Sequence, residues 1–308
     1  MTISAHAEQF AGKRVEDYSP ETGIADPTNK IYRISTHYDA EEGIVDCFNT
    51  FLEDPRVSEI SGIVIGCWIT DVDESSQEIV EALAAAREKL PNLKAIFLGD
   101  ITYEEAEISW IVQSDVSPLL TAYPQLEYLQ VRGNQGLSLG LLQHDRLKSL
   151  VVETGGLSVN VVCEVCNAQL PELEHLELWL GIEDYGSDTT VDDLQPILTD
   201  RLFPKLRYLG LRDSEIADRI AIALADAPVL EQIKVLDLSL GTLRDVGAEA
   251  LLNNPAIAQL EKLDIHHHYV SDELVTRLEE LGIELDASDR QEEEEYGDES
   301  YFYVAVSE

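Results

Sequence analysis

Three consecutive histidines, His266, His267 and His268, lie in the stretch LEKLDIHHHYVSDEL, residues 260–274. Imidazoles serve as metal ligands and as proton carriers near neutral pH. A zinc site needs three or four ligand atoms converging at about 2.0–2.1 Å. Neighbours along an extended chain point to opposite faces, so a strand through this stretch separates the three rings. Counted in the pattern L-x-x-L-x-L, whose leucines and the residue three further on face the core, Leu260, Leu263, Ile265 and His268 are expected inward, Asp264 and His266 on the concave side, and His267 at the strand's end. Asp237 and Asp264 recur at matching places in VLDLS and KLDIH, and these carboxylates are expected to raise the pKa of His266. A metal- or His-dependent enzyme built on His266, Asp237 and Asp264 is therefore the competing chemistry. No serine, cysteine or carboxylate arrangement supplies a nucleophile with its base, so the expectation is no catalytic residue, no metal and no cofactor.

Other constellations carry less. CEVC, Cys163 to Cys166, has redox or metal spacing, but no second cysteine pair follows it, and it is expected to pack in the core. DVDES (71–75) and YGSDTTVDD (185–193) lack the glycine turn and terminal glutamate of a calcium loop and read as solvated acidic loops. ETGGLS (153–158) lacks the lysine of a phosphate-binding loop and reads as a turn.

The elements that position these residues repeat. The pattern L-x-x-L-x-L appears as LEYLQV from Leu126, LEHLEL from Leu173, LRYLGL from Leu206, IKVLDL from Ile233 and LEKLDI from Leu260. Weaker copies begin at Ile60, Leu93 and Leu147, so the spacing falls in the twenties to low thirties, as in leucine-rich repeats. SSQEIVEALAAAREKL, opened by a serine cap, SEIADRIAIALADAP and LRDVGAEALLNNPA carry apolar residues at helical spacing. Pro91, Pro124, Pro171 and Pro204 stop the return segments before the next strand. Strand and helix in alternation imply an α/β leucine-rich-repeat solenoid, with a curved parallel sheet on its concave side and helices on its convex side.

LRDVGAEALLNNPAIAQLEKLDIHHH resembles a unit of the ribonuclease-inhibitor-like leucine-rich-repeat proteins. SPLLTAYPQLEYLQVRGN, LPELEHLELWLGIEDYG and LFPKLRYLGLRDSEIAD resemble, more closely, an uncharacterised family of bacterial cytoplasmic leucine-rich-repeat proteins, over roughly residues 28 to 287. The resemblance implies fold and is silent on activity. The repeat lengths are less regular than in the ribonuclease inhibitor itself. His268 takes the place of Asn134, a position that in such repeats bonds the backbone of the turn.

With the leucines inward, the residues between them line the concave face. The middle row is Val64, Phe97, Gln130, Val151, Glu177, Gly210, Asp237 and Asp264. Two residues onward lie Arg132, Glu153, Trp179, Arg212, Ser239 and His266, and two residues back lie Tyr128, His175, Tyr208 and Lys262. Trp, Tyr and Arg are the types that most often dominate binding energy, so a solvent-facing Trp179 flanked by Tyr128 and Tyr208 reads as a partner-binding patch. Glu153 and Glu177 are placed to pair with Arg132 and Arg212.

The chain of 308 residues holds 60 acidic against 21 basic residues, a net charge of −39. Such a surface repels nucleic acid and anionic membranes. It leaves two readings, a solvated acidic surface or attraction to a protein with a basic surface. No signal-peptide core and no membrane-length apolar run is visible, so the expectation is a cytoplasmic protein. Residues 1–55 read as a capping unit, 56–286 as the repeat domain and 287–308 as an acidic segment with a tail. ASDRQEEEEYGDES is expected to be loosely held, and YFYVAVSE to pair with or cover an edge of the stack. The function expected is a non-catalytic protein-binding scaffold, the alternatives being the enzyme above or a structural subunit assembling through its ends.

Overall fold

A computed structural model describes residues 3–71, 74–199, 202–297 and 299–307. The chain divides into two compact units, the first made of Ile3–Val152 with Asn167–Glu172, the second of Glu153–Cys166 with Leu173–Ser307. Both are α/β repeats in which strands succeed one another in chain order.

The first unit carries β1 (Gln9–Phe10), β2 (Lys13–Asp17), β3 (Lys30–Ile34), β4 (Gly62–Ile65), β5 (Ala95–Leu98), β6 (Tyr128–Arg132) and β7 (Ser149–Glu153, to Val152). β1 meets β2 antiparallel, and the pairs from β2 to β6 are parallel. Helices α1 (Ile44–Phe51), α2 (Gln77–Ala85) and α3 (Ser117–Ala122) lie on the return paths. At the start of α2 the Ser76 hydroxyl bonds that of Ser114 (2.9 Å) rather than a helix N–H, and Ser75 Oγ accepts the Gln77 N–H (3.4 Å) in its place. Of the DVDES loop, Val72 and Asp73 lie outside the described residues, and the Glu74 carboxylate accepts the N–H and hydroxyl of Thr70 (2.7 and 2.9 Å).

Val64 and Phe97 were expected to face solvent, and neither does. Both are fully buried, because the chain's own start folds over that sheet face. Phe10 and Val15 pack there with Ile31, Val64, Ala95 and Phe97, and the Phe10 and Phe97 rings lie 5.7 Å apart. Apolar residues at face positions require a cover, since burying a Val or Phe side chain contributes about 1.5–3 kcal/mol. Beside this second core sits Asp100, wholly buried, whose carboxylate receives Arg33 Nη1 at 2.7 Å, Arg132 Nη1 at 3.5 Å and the Ala7 N–H at 3.1 Å.

The second unit carries β8 (His175–Gly181), β9 (Tyr208–Ser214), β10 (Val235–Asp237), β11 (Lys262–Asp264) and β12 (Glu284–Asp286), all parallel. They alternate with α5 (Val191–Thr199), α6 (Ala217–Leu224), α7 (Asp245–Leu252) and α8 (Asp272–Glu279), and α4 (Val159–Cys166) precedes them. Register places Leu176, Leu209, Leu236, Leu263 and Leu285 in one row, and the first four are fully buried. ETGGLS does more than turn. Gly156 bridges Gly181 backbone to backbone, so closely that a side chain at Gly181 would strike the Gly155 carbonyl. YGSDTTVDD is in part a capping device: Asp188 accepts the Val159 N–H at 2.6 Å, and Asp193 accepts the N–H and hydroxyl of Thr190.

The cysteines depart from expectation. Cys163 is exposed, because α4 turns it outward, while burial raises the half-buried Cys166 thiol to about 11. The acidic segment, expected to be loosely held, contains an antiparallel hairpin of β13 (Glu294–Tyr296) and β14 (Glu299–Tyr301). Residues 302–306 cover the loops that follow β9 to β11 rather than joining a sheet edge. There the Val306 N–H bonds Asp213 Oδ1 (2.9 Å), the Ala305 N–H bonds the Leu240 carbonyl (2.7 Å), and Phe302 packs on Tyr269 and Arg244. No helix among the described residues is long and apolar enough to cross a membrane.

Candidate functional site

The polar face of the second unit is built by an accident of register. Parallel pairing sets Glu177 beside Gly210, then Asp237, Asp264 and Asp286 on successive strands about 4.8 Å apart. Like charges in such a row repel and need compensation. Part comes from the backbone. In VLDLS, KLDIH and ELDAS each aspartate accepts the N–H two residues on, from Ser239 (2.9 Å), His266 (3.1 Å) and Ser288 (3.1 Å). Gly210 completes the row by leaving room: a side chain there would press on the Tyr208 ring and the Glu177 stem.

The remaining compensation is a network centred on Arg212. Its Nη1 donates to Glu177 Oε1 (2.7 Å) and its Nε to Ser239 Oγ (2.9 Å), with Asp237 Oδ2 at 3.4 Å. The guanidinium lies over the Trp179 ring, 5.1 Å from its centroid, and Trp179 Nε1–H donates to Glu177 Oε1 at 2.7 Å. Tyr208 Oη donates to Asp237 Oδ2 (2.6 Å), and the His175 ring stacks flat on Tyr208 at 3.9 Å. Burial alone would push the Glu177 carboxyl up, but the bonds from His175 and Trp179 and the Arg212 charge outweigh it and hold it down to about 2. Burial and the two neighbouring carboxylates raise the Tyr208 phenol, which stays a donor.

The expected phase is correct, and the expected role of Trp179 is not. Leu176 and Leu178 are inside, yet Trp179 is only 7% exposed, because its indole lies under Arg212 with its N–H consumed by Glu177. It is a platform, not a protruding anchor. Arg132, in the first unit, engages Asp100 and the Ile101 carbonyl and stands over Phe97. Tyr128 and Gln130 of that unit are half-buried, and Glu153 is buried. Sequence reading missed Asp100, Arg33 and Asp286. The signal for Asp286 was present in the third D-x-S/H repeat, ELDAS.

The histidines separate as expected, with one change. His268 is buried, its Nδ1 accepting the Val270 N–H (2.9 Å) and its Nε2–H donating to the Ala287 carbonyl (3.0 Å). Burial lowers its pKa, keeping the ring neutral. His144 makes the same pair of backbone bonds in the first unit, to the Arg146 N–H and the Tyr123 carbonyl. His267, expected at the surface, is buried in the left-handed region (φ 58°), held between Asp289 and the Tyr303 carbonyl by the returning tail. His266 donates from Nδ1 to Asp264 Oδ1 (2.7 Å), and this bond raises its pKa against the opposing effect of burial, with Asp237 a lesser contributor. Asp264 also takes Lys262 Nζ on Oδ2 (2.9 Å) and lies well below the usual carboxylate range, the bonds from His266 and Lys262 overcoming its burial.

Asp264, His266 and Asp286 are the one set among the described residues whose metal-ligating atoms lie within 4.8 Å of one another. A divalent cation there would have to displace the proton of His266 and compete with Lys262. The ready counter-charge of this site is therefore an ammonium. Four carboxylates (Glu177, Asp237, Asp264, Asp286) face two permanent cations (Arg212, Lys262), so the face keeps a negative surplus.

No protein-family model matches the chain, and no curated protein matches it. A crystal structure of a protein from Bacteroides fragilis is similar to it, at 33% sequence identity and a TM-score of 0.80, over 89% of this chain and 76% of that one. The chain belongs to the same family as that Bacteroides fragilis protein.

Proposed function

We propose that the chain is a non-catalytic, cytoplasmic leucine-rich-repeat scaffold that binds a basic protein on the polar sheet face of its second unit. The observation that carries the reading is the Glu177–Arg212–Asp237–Asp264 network. Its side chains are fixed by mutual bonds while His175, Tyr208, Arg212 and His266 stay partly exposed. A prearranged face loses little ordering entropy on docking, and its surplus of carboxylates favours a cationic partner. The net charge of −39 acts in the same direction at long range.

A photo-cross-linking residue in place of His175 is expected to give a discrete adduct with a basic protein in a lysate of the source organism. The same residue in place of Ile222, exposed on α6, is expected to give none. Equal adducts from both positions, or no adduct from position 175, would remove the reading.

A further inference from the structure

The row of leucines breaks its own rule at one place. Leu176, Leu209, Leu236 and Leu263 are fully buried, but Leu285, in register with them on β12, is only half-buried. It has β11 on one side and, among the described residues, no strand on the other. The Glu284 N–H donates to the Glu261 carbonyl (3.1 Å) and the Asp286 carbonyl accepts from Ile265 N–H (2.8 Å), so both residues turn their backbone toward β11. Alternation then points the N–H and C=O of Ile283 and Leu285 the other way. Among the described residues no strand takes them up, since β12 ends the sheet and β13 and β14 pair only with each other.

The side chains beside this edge are acidic. Glu284 is exposed, and Asp286 takes the N–H and hydroxyl of Ser288 (3.1 and 2.6 Å). No ammonium or guanidinium among the described residues lies within 4.0 Å of either: Lys262, opposite Glu284 in register, acts on both only at longer range, because its Nζ is bonded to Asp264, while Asp237 has Arg212. The next rung therefore calls for a cation beside Glu284 and Asp286 and an apolar side chain between them to cover Leu285. A second copy of this chain meets only the apolar need: its own β12 would bring Leu285 against Leu285 but set Glu284 and Asp286 against the same two carboxylates.

We propose that the outer edge of β12 accepts an added strand from a partner, an extended segment with lysine or arginine at alternate positions and an apolar residue between. Main-chain bonds to Ile283 and Leu285 would supply affinity and the carboxylates would supply selectivity. The inference rests on the scaffold reading and names one part of the surface that serves it.

The test uses the full chain and an acetylated, amidated peptide of alternating lysine and valine, followed by fluorescence anisotropy and amide hydrogen exchange. The peptide is expected to bind and to slow exchange at Leu285. Methylating its backbone nitrogens, which keeps its charge, is expected to weaken binding about tenfold or more, the loss of one or two net hydrogen bonds. Glu284→Lys, at an exposed position, is expected to weaken it several-fold, and a glutamate–valine peptide is expected not to bind. Equal binding of the methylated peptide, unchanged exchange at Leu285, no binding at all, or self-association of the chain through β12 would each overturn the proposal. Binding with protection confined to the Tyr208 region would sink the edge and spare the scaffold reading. Edge binding without the His175 adduct would do the reverse.

Discussion

The two units use the same strand positions for opposite ends. In the first, the face away from the leucines holds Val64, Ala95 and Phe97, and Phe10 and Val15 seal it. In the second, the positions equivalent to Val64 and Phe97 hold Glu177, Gly210, Asp237 and Asp264, and a network of buried carboxylates under partly exposed His175, Tyr208, Arg212 and His266 occupies that face. A parallel sheet fixes where side chains go and leaves their chemistry free. Apolar rungs must be covered, at a gain in stability, whereas charged rungs must be paired, and once paired they can remain at the surface.

The comparison breaks most visibly at Asp100. Asp100→Ala removes the buried carboxylate shared by Arg33 and Arg132, although Arg33 keeps Asp17 and Arg132 keeps the Ile101 carbonyl, and is expected to cost about 3–5 kcal/mol, read by hydrogen exchange of the first unit under increasing urea. Phe10→Ala should follow at about 3 kcal/mol, the cost of emptying a packed aromatic site. It should also increase exchange on β5 while leaving β9 unchanged. Next, His268→Ala orphans the Val270 N–H and the Ala287 carbonyl and should cost about 2 kcal/mol. His266→Ala, at a half-exposed position, should cost less than about 1 kcal/mol. Equal losses from the two histidines would contradict the roles assigned to them.

A further effect is a pH dependence with two windows in the second unit. Glu177 is held down to about 2, so its contribution is present above its unfolded pKa of about 4.3 and is lost as pH falls toward 2. The folded pKa of His266 is raised. Its contribution is complete below the unfolded value of about 6.5 and is lost as pH rises through the folded one. A urea-midpoint series from pH 2 to 9 reads both, and loss of the upper window in His266→Gln identifies its source.

Much of this was legible in the chain. The L-x-x-L-x-L stretches marked the strands from β4 to β11, because leucines that must be buried repeat at a fixed phase. The histidine triplet was readable from the repeat register, in which the residue three beyond Ile265 turns inward; alternation alone would have left His266 and His268 on one face, and the left-handed His267 (φ 58°) is what parts them. Trp179 was misread because residue type was weighed without its neighbours, although Glu177 two positions back and Arg212 on the next strand were placed to pin it. The cover of the first unit was not legible. QFAGKRVED carries too few apolar residues to show a period, and its partner face is assembled from strands far along the chain. Asp100 was hidden likewise, since one carboxylate after a strand has no pattern, and Arg33 and Arg132 reach it only by folding.

The most direct test is hydroxyl-radical footprinting of the intact chain, comparing face residues of the two units. Rapid modification of His175 and Tyr208 is expected, with Phe97 protected in the wild type and exposed by Phe10→Ala. Comparable modification of Phe97 and Tyr208 in the wild-type chain would show that no such division between a sealed and an open face exists.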